Sequence, residues 1–105
     1  GSDIDDAVAL NYLLKQTECE LLGITTVSGD VQKRAAIARA MCCVAGATVP
    51  IAVGAPWAIG GERSQPHVPQ YDALGDGERR GEAFEPGAAV DLLRRTIRGR
   101  PGEVT

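Results

Sequence analysis

The stretch GSDIDDAVAL, Gly1–Leu10, sets three carboxylates, Asp3, Asp5 and Asp6, directly in front of an apolar run. Acids at a helix start are stabilised by the helix dipole and cap free N–H groups. Asp3 fits the N-cap, with Asp6 at the third helical position as a weak capping-box partner. The reading is a helix over Asp3–Gln16. Ala7, Val8, Ala9, Leu10, Tyr12, Leu13 and Leu14 cover most of its circumference, which predicts a largely buried helix. Capping accounts well for one or two acids, but adjacent carboxylates repel and raise one another's pKa. A hard cation removes that conflict, and oxygen-rich clusters suit Ca²⁺ or Mg²⁺. Capping and metal binding are both open at this point.

Working outward, Glu20–Val27 (ELLGITTV) is rich in β-branched residues and predicts a strand. Ser28, Gly29 and Asp30 signal a turn. Val31–Ala45 predicts a second helix with Lys33, Arg34 and Arg39 as solvated positions and Gly46 as its C-terminal cap. Val49–Val53 (VPIAV) predicts a second strand. Residues 54–86 are rich in Gly and Pro and carry no clear period; so long an irregular segment is usually functional or mobile. Gly87–Arg98 predicts a helix whose Arg94, Arg95 and Arg98 suit the negative pole of its dipole. Pro101 and Gly102 stop it, and Glu103–Thr105 reads as a strand beginning. Helices alternating with strands define an α/β protein with an open, mostly parallel sheet. The expectation is an incomplete sheet, lacking a strand before the first helix and a C-terminal part.

Composition narrows the functions. The chain has 105 residues, 44% of them hydrophobic, enough to bury a core, which predicts one domain or part of one. A net charge of −3 offers no electrostatic footprint for nucleic acid or an acidic membrane. No apolar run is long enough to span a bilayer, and no leader is visible. Cys19, Cys42 and Cys43 form an odd set, expected as reduced thiols in a cytoplasmic protein.

GSDIDDAVALNYLL, followed by CELLGITTVSGDV and VPIAVG, resembles the N-terminal part of the inosine/uridine-preferring nucleoside hydrolase family. That family opens with a strand ending in Asp-x-Asp-Pro-Gly-x-Asp-Asp-Ala-x-Ala, then a strand similar to LLGITTVxGN and a helix. AAVDLLRRTI also fits a later helix. The resemblance implies a Rossmann-like fold, with residues 1–105 as the N-terminal part of one hydrolase domain. It implies hydrolysis of the N-glycosidic bond of purine or pyrimidine ribonucleosides, with one Ca²⁺ orienting a water and the ribose hydroxyls. It further implies a cytoplasmic, homo-oligomeric enzyme acting on small nucleosides.

Residue by residue, Asp6 matches the second Asp of the pair, a calcium ligand, and Asp5 the first, which contacts ribose hydroxyls. Asp30 stands where the family commonly has Asn near the ribose; it can accept from a hydroxyl but cannot donate as an amide does. Asp3 belongs to an acidic motif two residues longer than the common one. It is an extra acid, a helix cap or a replacement metal ligand. His67 is the only histidine; it falls in the loop region that can supply a proton to the leaving base, with a plain surface histidine as the other reading. The family's catalytic Asp, a ligand carbonyl and a late Asp ligand lie outside these residues. The expectation is that this segment alone is inactive and poorly folded.

Trp57 and Tyr71 could stack on a base, with a plug at the sheet end as the favoured role. Arg79–Arg80 and Arg94–Arg95 read as solvated pairs. A receiver-type signalling domain also gathers acids after its first strand, but VPIAVG ends without the Asp that such a domain phosphorylates. A non-catalytic assembly module derived from a hydrolase is the remaining alternative.

Overall fold

The computed structural model describes residues 4–61, 65–79 and 81–105. Helix α1 spans Ile4–Lys15, strand β1 Ile24–Thr26, helix α2 Val31–Val44 and strand β2 Ile51–Val53. A 3₁₀ turn at Pro69–Ala73, a one-turn helix α3 at Asp76–Arg79 and helix α4 at Ala89–Gly99 follow. β1 and β2 run parallel, with Ile24 opposite Ile51, Thr25 opposite Ala52 and Thr26 opposite Val53. The chain is therefore a mixed α/β structure with a small, open parallel sheet, as the alternation predicts.

Side chains alternate across a strand, and here the alternation assigns the two faces. Val53 packs with Val31 and Ala35 of α2, joined by Ile51 and Phe84. Ala52 packs on Ala89 and Leu92 of α4. The sheet thus lies between α2 and α4, the layered arrangement of an α/β fold. Thr26 anchors the first crossover, its hydroxyl donating to the Val31 carbonyl at 3.0 Å.

α2 is the central helix, with eight buried residues, six of them aliphatic and no larger than isoleucine: Val31, Ala35, Ala36, Ile37, Ala38 and Ala40. Its small side chains let both strands and the 3₁₀ turn approach closely. It ends as its sequence predicts. Gly46 takes φ 68°, its N–H donates to Cys43 O at 3.1 Å, and the Ala47 N–H donates to Cys42 O at 2.9 Å. That pair of bonds is the glycine-terminated Schellman cap.

Three expectations are corrected. α1 forms but has no buried residue; Val8 and Tyr12 are more than 60% exposed. It packs chiefly along α2, so an apolar surface running around the helix finds a partner on one side only. Glu103–Thr105 forms no strand, because the Glu103 N–H is committed to the Arg100 carbonyl in a turn. Residues 54–86 are not wholly irregular: Pro69 starts the 3₁₀ turn and α3 follows it.

Candidate functional site at the carboxyl ends of the strands

Both strands run into loops on the same edge of the sheet, where open α/β sheets hold ligands. The Ser28 N–H donates to Ala55 O and the Gly29 N–H to Pro56 O, each at 2.9 Å. The turn after β1 is thereby bonded to the loop after β2. A third segment reaches the same place. A Cβ on Gly29, which has φ +65°, would lie 2.5 Å from the Gln65 carbonyl oxygen. Only a glycine permits that approach and that φ together.

Asp30 follows this turn and caps α2. Its Oδ1 accepts from the Lys33 N–H at 3.1 Å, and its Oδ2 lies 3.7 Å from Lys33 Nζ. The cap uses one oxygen, so an ionised carboxylate retains acceptor capacity for a further donor. His67 is exposed, two residues beyond Gln65, on a segment anchored by buried Val68. Asp30 and the loop bearing His67 are thus held at one end of the sheet.

Asp5 and Asp6 occupy the first turn of α1 and are exposed. Asp3, read as cap or metal ligand, lies outside the described residues. Carboxylate oxygens are suitable donors for a hard cation, which takes about six to eight oxygens as Ca²⁺. Among the described residues no group of three metal-ligating side chains gathers. Two carboxylates suit such a cation chemically but would fill only part of its shell.

The residue that sequence reasoning missed is Arg34. Expected in solvent, it is only 5% exposed. Its Nε donates to Ser28 O at 2.8 Å and its Nη2 to Gln65 O at 2.8 Å. The signal was present: Arg34 is three residues after Val31 and four before Ala38, on the helix stripe that faces the core. Arg39 is likewise not free in solvent. Its guanidinium lies 4.9 Å from the Phe84 ring centroid and donates to Glu82 O at 3.2 Å.

Arg79, also expected in solvent, donates to the Asp72 carbonyl and lies 5.4 Å from the Tyr71 ring centroid. Lys33 Nζ lies at 5.4 Å from the same ring. Tyr71 therefore joins the 3₁₀ turn to α2 and α3, and does not plug the sheet end. Trp57, in the loop after β2, is 51% exposed.

An open parallel sheet with loops converging at its carboxyl edge and acids at helix starts defines an α/β protein of the class whose ligand sites fall at that edge. The family model described as inosine-uridine preferring nucleoside hydrolase matches residues 1–105, and the chain belongs to that family. Membership supports nucleoside hydrolase activity in general, on small nucleosides, in a family that is generally metal-dependent. No curated protein and no solved structure matches the chain. Among the described residues, no helix is long and apolar enough to cross a membrane.

Proposed function

We propose that the protein hydrolyses the N-glycosidic bond of ribonucleosides, releasing ribose and a free purine or pyrimidine base, with Ca²⁺ as its cofactor. The observation that carries this reading is the family match over the whole chain, in a fold whose candidate residues stand at helix starts and at the carboxyl edge of a parallel sheet. Asp5 accepts from the ribose hydroxyls. Asp6, with Asp3, holds the cation. Bound there, Ca²⁺ would orient the attacking water and lower its pKa. Asp30 accepts from a sugar hydroxyl with the lone pairs its cap leaves over. His67 stands on the side of the leaving base, where a proton donor eases departure. Carboxylates around the ribose stabilise the positive charge that an oxocarbenium-like transition state develops.

Three free cysteines, two of them exposed, suit a reducing cytoplasm. Exposed apolar side chains on α1 and α4, among them Ile4, Val8, Val90 and Ile97, suit a homo-oligomer. The test is release of free base from inosine and uridine by the full-length protein and by its Asp5→Ala variant. The variant is expected to lose activity while remaining folded. Activity that survives the substitution sinks the ribose-contact assignment.

A further inference from the structure

Among the described residues, two that are not glycine adopt a positive φ: Ser28 at 69° and Gln65 at 51°. Side-chain-bearing residues enter that region at an energetic cost and stay there only when their surroundings hold them. Both have their carbonyl oxygens bonded to one buried side chain, the guanidinium of Arg34, at 2.8 Å each. Gly29, adjacent to Ser28, provides the gap into which the Gln65 carbonyl fits. The turn leads into Asp30, and Gln65 leads into His67. The two strained residues thus stand just ahead of two candidate site residues, and one arginine spans both.

We infer that Arg34 is a positioning residue: a two-pronged clamp that holds Ser28 and Gln65 in left-handed conformations and so fixes the loop bearing His67 against the turn bearing Asp30. The fork of a guanidinium is required. A lysine ammonium is a single point of donation and cannot reproduce two bonds from separate, rigidly spaced nitrogens. That the clamped elements face a riboside rests on the function proposed above; the clamp itself does not.

The experiment is amide hydrogen exchange on the full-length protein, comparing wild type with Arg34→Lys. Ser28 and Gly29 report the turn, Tyr71, bonded to Val68 O, reports the loop, and the amides of β2 report the global fold. A bond to a charged donor is worth enough that its loss should speed local opening by about tenfold or more. The expected result is loss of protection of that order at Ser28, Gly29 and Tyr71, with β2 unchanged. Adding Ser28→Gly and Gln65→Gly to Arg34→Lys should restore much of that protection, because glycine adopts a positive φ without the clamp.

Gly29→Ala, which drives a Cβ into the Gln65 carbonyl, should expose the same amides with Arg34 intact, and it serves if Arg34→Lys does not fold. Unchanged exchange in Arg34→Lys, or an equal loss at β2 that the glycines do not relieve, overturns the clamp. A riboside titration followed on the His67 NMR signal separates the two readings. A shift in wild type that Arg34→Lys abolishes supports positioning of the site. Localised exchange loss with no riboside shift in wild type keeps the clamp and removes the proposed ligand.

Discussion

Gln32 and Phe84 close a ring of two hydrogen bonds across the molecule: Gln32 Nε2 donates to Phe84 O at 2.7 Å, and the Phe84 N–H donates to Gln32 Oε1 at 2.9 Å. One side-chain amide thereby serves as a strand-like partner for a loop backbone, fastening the segment before α4 to α2. Phe84 packs against the Val31–Ala35–Val53 core, so the pair also fixes one side of that core.

Gln32→Glu tests the pair directly. An ionised carboxylate accepts from the Phe84 N–H but cannot donate to its carbonyl. The substitution should cost about 1–3 kcal/mol at neutral pH, read by denaturant unfolding. Protonation restores a donor, so the deficit should shrink as pH falls through the carboxylate range. A deficit that does not change with pH would contradict the geometry.

Asp30 combines a cap with a proposed ribose contact, and two substitutions separate them. Asn caps helices as well as Asp does, so Asp30→Asn should leave stability within a few tenths of a kcal/mol, while Asp30→Ala should lose about 1 kcal/mol. If the carboxylate also meets a sugar hydroxyl, riboside KM in the full-length protein should rise more in Asp30→Ala than in Asp30→Asn. Equal KM values in all three proteins would leave Asp30 a cap alone.

These residues show how far a sequence can be read. The alternation of helix and strand, the Gly46 cap and the turn at Ser28–Asp30 were legible because local chemistry governs them. The burial of α1 was not legible, because an apolar helix face is buried only where a neighbour covers it. Arg34 and Arg39 look like solvent-facing cations in sequence. Their partners are Gln65 and Ser28 carbonyls in one case and Phe84 in the other; the helix stripe signals that Arg34 is buried, but no local pattern names the distant loop each arginine meets. The acids at Asp5 and Asp6 were visible from the first line because helix starts advertise themselves.

Glu20 and Arg100 form a two-pronged ion pair, at 2.5 and 2.9 Å, that ties the segment before β1 to the end of α4. The Arg100 guanidinium, chiefly through its hydrogen bonds and aided by its charge against a smaller opposing effect of desolvation, holds the Glu20 carboxyl below its ordinary 4.5. A depressed carboxylate stabilises the fold above that ordinary value and ceases to do so as pH falls through the lower, folded-state value. An NMR titration should show the Glu20 midpoint returning toward 4.5 in Arg100→Gln. An identical midpoint in both proteins would mean that the pair does not persist in solution.

Cys42 is buried, whereas Cys19 and Cys43 are exposed. Burial pushes the Cys42 thiol up, which lowers its thiolate fraction at neutral pH, and the thiolate is the reactive form. Iodoacetamide followed by peptide mapping should label Cys19 and Cys43 well before Cys42, with Cys42 catching up only on unfolding. Equal rates at all three would contradict the packing of α2.

The central claim is that the acids at the start of α1 serve a cation-assisted riboside hydrolase. Its most direct test is the release of reducing sugar from inosine and uridine by the full-length protein, before and after chelation of divalent cations, with Ca²⁺ then added back. The account predicts that chelation abolishes release, that Ca²⁺ restores it, and that Asp6→Asn shifts the restoring Ca²⁺ concentration upward. Release that continues unchanged after chelation would contradict it.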